Sequence, residues 1–404
     1  MSQNETTRNG GILNKTHSAV LFGTVIACSF VPMILLSPVG GIVADRVNKR
    51  NIMVFLDFLT AGLLILFSIS IGHVDMVVSF LIMLMCLYGI QGAYQPTVQA
   101  SIPVLVSREQ LMPANAVINL VGSLANLVGP VVGGTLFGFF GIRPILVVSM
   151  FCFVCSAIME LFIKIPFENK QRETSILATV KMDMKDSFSF ITVKNPLIGK
   201  VALILACVNL VFSSLIIIGV PITINEHLGF SQELGNRLYG YAEGALAAGG
   251  LLGGILAGIV GKKIKFEQSY LIIFGATLTM FPIGLALFLK LPAMVTYTII
   301  VVCCIVMMLL STLFSIQMLT FVQSVTPSHL IGKVMSLLMS LVMCAHPLGQ
   351  IVYGNIFQLF SNKTYLVFLI ALMVCIMITL VARSVFTQKK HKKIKIFEFS
   401  TNEV

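Results

Sequence analysis

Long apolar runs separated by short polar breaks make up almost the whole of this chain. An apolar run of about 20 residues crosses the roughly 30 Å hydrocarbon core of a bilayer as a helix. On that basis the pattern predicts eleven spans: 19–43, 52–71, 76–101, 111–138, 142–163, 199–222, 238–260, 269–289, 293–318, 331–357 and 364–385. The longest polar stretch, 164–198, mixes both signs of charge (Glu168, Lys170, Arg172, Glu173, Lys181, Asp183, Lys185, Asp186) and reads as a solvated linker with a short amphipathic helix. The predicted organisation is therefore a polar N-terminal segment 1–18, a five-span bundle 19–163, a cytoplasmic linker 164–198, a six-span bundle 199–385 and a basic tail 386–404.

Composition places the chain in one class. Of 404 residues, 57% are hydrophobic and 11% charged, with a mean hydropathy of +0.97; soluble domains carry roughly 25% charged residues. The expected fold is an all-α polytopic membrane protein. The net charge of +11 does not call for nucleic acid, because its basic residues are distributed as they are in loops that orient spans. Arg46, Lys49, Arg50, Arg108, Lys262, Lys263, Lys265 and Lys333, with the cations of the linker and the tail, fall on one side. Arg143, Arg237, Lys290 and Lys363 fall in the opposite loops. Cytoplasmic loops carry the basic excess, so the C-terminus is expected in the cytoplasm of a multi-pass cell-membrane protein. The nine cysteines all lie within apolar runs, and Cys152 and Cys155 share one span with no second ligand pair nearby. They read as packing residues rather than zinc or redox chemistry. Residues 1–17 lack the apolar core of a signal peptide.

The most informative stretch is Gly40-Gly-Ile-Val-Ala-Asp-Arg-Val-Asn-Lys-Arg50, between the first two predicted spans. Its small residues permit close helix approach, and its basic residues hold the turn on the inner side. Asp45 is placed to meet the N-terminal dipole of the following helix and to pair with nearby Arg or Lys. The stretch resembles the loop signature of the major facilitator superfamily, with Gly41, Asp45, Arg46, Lys49 and Arg50 in the matching positions. Val43 replaces the usual Leu and Asn48 the second Gly; Asn tolerates left-handed backbone better than most residues. An internal repeat agrees: Gly41–Arg50 aligns with Gly254-Ile-Leu-Ala-Gly-Ile-Val-Gly-Lys-Lys263, the Asp giving way to Gly258. The resemblance implies a major facilitator fold of two helix bundles with twelve spans. Ile12–Gly23 resembles the family's first outer loop, so the first helix is expected to be missing, through a late start codon or loss of the span.

A second motif is Val121-Gly-Ser-Leu-Ala-Asn-Leu-Val-Gly-Pro-Val-Val-Gly-Gly134. Gly122, Gly129 and Gly133 share one helix face and would let a neighbour approach closely, while Pro130 favours a bend. With Gly134, these residues resemble the antiporter motif of facilitator-superfamily exporters. Ionisable residues inside spans are costly and hence functional candidates. Asp57 reads as a partner of Arg46 or Arg50, or as a proton-coupling acid. Glu243 reads as a desolvated proton-coupling carboxylate, or as a helix-end acid facing water or Arg237. Glu160, with Lys164 at i+4, reads as a helix-end ion pair. The span Leu87–Pro96 lacks the Arg that drug antiporters of the family often carry there.

Thr16–Gly23, Ser37–Arg46 and Asn51–Asp57 resemble the bacterial macrolide-efflux branch. That resemblance implies two bundles rocking about a central cavity and export of amphipathic drugs by proton antiport. The partners expected are a small-molecule substrate, protons and the bilayer, with no cofactor, no metal and a monomeric state. Export of an endogenous metabolite such as a siderophore is a second reading, and a non-transporting remnant lacking the first helix a third. An enzyme would need clustered His, Asp or Glu at a membrane face, and the histidines are scattered at 17, 73, 227, 329, 346 and 391.

Overall fold

The computed structural model describes residues 19–71, 73, 75–166, 188–327, 330–360 and 363–387. Most of the expected linker, the N-terminal segment and nearly all of the tail lie outside them. Eleven helices follow in order: α1 Ala19–Arg46, α2 Lys49–Ser70, α3 Met76–Leu105, α4 Leu111–Phe140, α5 Ile142–Leu161, α6 Pro196–His227, α7 Gln232–Val260, α8 Phe266–Phe288, α9 Ala293–Val325, α10 Ile331–Leu359 and α11 Thr364–Thr387. Among the described residues nine of them are long and apolar enough to cross a membrane, against eleven expected. The remaining two expected spans fall on α1 and α4, of 28 and 30 residues, some of whose side chains lie outside the described set. At 1.5 Å per residue each is more than about 40 Å long.

Local chemistry sets several helix ends. The side chain of Asn48 accepts from the amide of Arg50 at 3.0 Å and so caps α2. Ser231 caps α7 through the amide of Leu234. Between α4 and α5 a single residue makes the turn, Gly141, at φ 72°, a left-handed conformation that suits glycine. In α6, wide π turns at Leu215–Gly219 and Thr223–His227 flank Val220-Pro221-Ile222. Pro221 lacks an amide hydrogen and its ring crowds the carbonyl one turn back, so the helix widens rather than breaks.

The chain forms two compact units, described separately. Among the described residues, the first comprises those within 19–114, 124–166, 188–196 and 322–347. Here α1 and α3 meet backbone to backbone: a Cβ on Gly92 would lie 2.6 Å from the carbonyl oxygen of Met33, and one on Gly40 2.5 Å from Cα of Ala93. Helices α2, α3 and α5 meet in an apolar cluster of Leu64, Phe67, Met83 and Leu146, with Phe80 of α3 tilted against Phe67 of α2. The amide of Gln323 donates to the side chain and the carbonyl of Gln99, both at 3.1 Å.

The second unit comprises, among the described residues, those within 115–123, 197–321 and 348–387. Helices α7 and α9 approach as closely as α1 and α3 do. A Cβ on Gly249 would lie 2.6 Å from the carbonyl of Ile305, and one on Gly253 2.5 Å from that of Leu309. Phe266 stacks on Phe321 at 4.1 Å between ring centres, with Phe386 tilted against it at 4.8 Å. Gly254 of the repeated segment lies 3.5 Å, by its virtual Cβ, from the amide oxygen of Asn119, and Gly258 3.5 Å from Ala116. The second copy of the repeat is thus a helix-packing surface without a carboxylate.

Two substitutions test this packing. Gly92→Ala forces α1 and α3 apart and should lower thermal stability in detergent by about 1–3 kcal/mol, the usual cost of overpacking. Gly62→Ala, where nothing lies within 4 Å of the added carbon, should leave stability unchanged or raise it by up to about 1 kcal/mol. Equal melting of the two variants would show that α1 and α3 are not in backbone contact.

Candidate functional site

Asp45 lies in the last turn of α1, two residues beyond the apolar run, and its carboxylate does not face the following helix. The start of α2 is already served by Asn48. Instead, the amide of Gly332 donates to Asp45 Oδ1 at 2.8 Å and that of Lys333 to Oδ2 at 2.9 Å. Helix α10 begins with Val334 donating to the carbonyl of Leu330, which leaves these first-turn amides without partners inside the helix. Leu330 has no side-chain acceptor to offer them. A carboxylate 287 residues away in sequence supplies the cap and meets the positive end of the helix dipole. The expected dipole contact exists, but with α10 rather than α2.

Small residues on both sides make this approach possible. A Cβ on Gly41 would overlap Ser336 and the carbonyl of Gly332, and a Cβ on Gly332 would lie 2.5 Å from Asp45 Oδ1. Ser37 donates to the carbonyl of Ser336 at 3.4 Å. Burial pushes the Asp45 carboxyl up to about 6, opposed by the two amides and by the positive charges of Lys49 and Lys333. Lys49 is buried close by, and Arg46 closes α1 half-buried. Arg50 turns away from this junction, to the side chain of Asn51 and to the carbonyl of Leu161 at 3.5 Å.

The second motif departs from expectation. A Cβ at Gly122, Gly129 or Gly133 would meet nothing within 4 Å, so no neighbour exploits these glycines in this conformation. Within the second unit, α4 is approached earlier in the helix, where Gly250, Gly254 and Gly258 of α7 face Ser123, Asn119 and Ala116. The helical assignment runs unbroken through Pro130. The side chains of Pro130 and Gly134 lie outside those described.

The three intramembrane acids also sort differently. Glu243 is exposed, not buried by protein, and accepts a hydrogen bond from Tyr239 one turn earlier. Asp57 is buried at 5% exposure, and its hydrogen-bond partner is Ser156 on α5 rather than Arg50. Glu160 is buried at 7% exposure and accepts from Tyr94 Oη at 2.8 Å, whereas Lys164, its expected partner, is exposed. Asp57 and Glu160 are close enough to influence each other electrostatically. This grouping of Asp57, Tyr94, Ser156 and Glu160 joins α2, α3 and α5, and no sequence spacing announces it.

Comparison with known proteins gives the arrangement its context. The family model described as Major Facilitator Superfamily matches residues 10–350. Macrolide efflux protein A of Streptococcus pyogenes is 24% identical over 344 residues, covering 84% of this chain and 81% of that protein. The multi-drug resistance efflux pump PmrA of Streptococcus pneumoniae is 30% identical over 157 residues, 38% of each chain. Among solved structures, a bacterial homologue of the iron transporter ferroportin in an outward-facing state superposes with a TM-score of 0.70 at 16% identity, covering 94% of this chain and 92% of that one. With eleven long helices, the Gly41–Asp45 junction and a family match over most of its length, the chain belongs to the Major Facilitator Superfamily.

Proposed function

We propose that this transporter exports small amphipathic, macrolide-like molecules across the cytoplasmic membrane in exchange for protons, with its C-terminus in the cytoplasm. The observation that carries the reading is the similarity to macrolide efflux protein A along 344 residues. The basic excess on one side of the spans supports the orientation.

In this reading the Asp45 cap is a latch. A transporter that rocks between two openings needs a contact that is strong when made and cheap to release. A carboxylate on two amides meets that need, because water can take over both sides of the bond when the helices part. Charge-assisted bonds of this kind contribute about 1.5–3 kcal/mol each, enough to bias two conformations by tenfold or more without freezing either. The glycines Gly41 and Gly332 set how closely the latch can shut.

Cells expressing the chain should accumulate less labelled macrolide than empty cells, and an uncoupler should raise accumulation to the level of empty cells. Equal accumulation with and without the chain would sink the macrolide reading. Asp45→Asn keeps one acceptor but turns an amide donor toward a second donor. It should cut efflux by roughly tenfold at unchanged membrane expression, in keeping with one lost charge-assisted bond. Gly41→Ala should do the same by holding the latch open; wild-type efflux in either variant removes the junction from the mechanism.

The pH dependence follows from the sign of the Asp45 shift. Burial outweighs the two amides and the lysines in this shift: the amides hold the carboxylate at neutral pH, but a carboxyl raised to about 6 when docked, from about 3.9 when free in water, docks more firmly still as the acid. The extra stability is full below about 4 and is lost as pH rises through about 6. A cysteine placed at Ser336, which is buried, should therefore become more reactive as pH climbs across that window. The effect is read as the difference between wild type and Asp45→Asn, so that the thiol's own titration cancels. Identical pH profiles in the two backgrounds would exclude Asp45 as the titrating group.

A further inference from the structure

A buried pair of acids facing each other across two helices needs a physical explanation. Asp57 on α2 and Glu160 on α5 are each more than nine-tenths buried. One oxygen of each, Asp57 Oδ2 and Glu160 Oε2, is wholly buried without a hydrogen-bond partner. The groups that face the pair are Ser156 on α5, bonded to Asp57, and Tyr94 on α3, whose Oη donates to Glu160 Oε1 at 2.8 Å. Tyr94 also senses both carboxylates. Among the described residues, the nearby cations Lys49, Lys164 and Arg50 are directed elsewhere. Lys49 interacts with Asp45, Lys164 is exposed beyond the end of α5, and Arg50 reaches Asn51 and the carbonyl of Leu161. Arg46 ends α1, half-buried.

Two ionised carboxylates could share such a pocket only at a cost of several kcal/mol, because both are buried, they repel each other and one oxygen of each has no donor. A neutral, proton-bearing acid removes that cost and supplies the missing donor. We propose that Asp57 and Glu160, ordered by Tyr94 and Ser156, form a proton-binding site between α2, α3 and α5 that carries the coupling proton of export. The inference rests on the proton-exchange reading above. It assigns the coupling to a place other than Glu243, which is exposed.

The surroundings give the site a way to let its proton go. Arg50 already contacts the carbonyl of Leu161, the residue next to Glu160. Loss of the proton leaves a net anion that a short movement of Arg50 would pair or entering water would hydrate. Water entering between the helices loosens the packing of α2 on α5, whereas Arg50, itself on α2, would tie the two together. Proton occupancy is thereby tied to helix position, as coupling requires.

Two measurements on the full-length chain test this separately. Infrared spectra of the purified protein at neutral pH should contain a protonated-carboxyl band that is lost in the Asp57→Asn, Glu160→Gln double variant. The substitutions preserve size, and single variants serve if the double variant does not fold. In proteoliposomes, the variants should lose macrolide accumulation driven by a proton gradient while retaining exchange of labelled for unlabelled macrolide without one. A spectrum unchanged by the substitutions overturns the site. A lost band with intact gradient-driven accumulation overturns its coupling role. A lost band in a chain whose wild type moves no macrolide supports the proton site and overturns the export reading alone.

Discussion

Unpaired backbone amides at a helix start are a demand that the chain has to meet, and α10 meets it from far away. Its first turn offers Gly332 and Lys333 amides, and among the described residues the side chain that accepts them is that of Asp45 at the end of α1. The rest of the junction follows from that bond. Gly41 and Gly332 are glycines because a carbon on either would occupy the space the bond needs. Lys49 and Lys333 surround the carboxylate because burial raises the cost of its charge. The same geometry explains why the repeated segment at Gly254–Lys263 looks similar and acts differently. Gly258 stands where the acid would be, and what remains is close packing against Ala116 and Asn119.

A membrane interior favours polar groups that find partners inside the protein. Gln323 binds Gln99, Gln317 donates to the carbonyl of Ile264 at 3.0 Å, and Asn209 to that of Leu205 at 2.8 Å. Among the described residues, Asp57 and Glu160 are the carboxylates that keep a buried oxygen without a donor. Local bonds from Ser156 and Tyr94 hold them in place without neutralising them.

Periodicity and loop charge were enough to read the class and the succession of long helices, because the hydrocarbon core imposes length and composition on every span. The family was legible only through the resemblance of the Gly41–Arg50 loop, whose residues are small or charged where an ordinary loop would be neither. Its partner was not, since Gly332 and Lys333 become receptors only when their helix starts without a capping side chain. Asp57 and Glu160 are each visible as intramembrane acids; spacing offers Arg46 or Arg50 as a partner of Asp57, beside a proton-coupling role, and Lys164 as the partner of Glu160. Sequence neighbours compete for such assignments, and the fold decided in favour of Ser156 and Tyr94. Gly122, Gly129 and Gly133 show the opposite error. A glycine face permits close approach without compelling it, and here the helix is met further up its length.

The turn at Gly141 gives these observations a mechanical sense. One residue separates α4 from α5, too little chain to absorb a displacement as slack. A tilt of the C-terminal end of α4, which carries the open glycine face, is handed directly to the N-terminal end of α5. That helix is a rod of 20 residues, about 30 Å long, and Glu160 is its penultimate residue. The acid pair at one end of α5 is therefore wired, by a shaft with almost no play, to whatever moves the other.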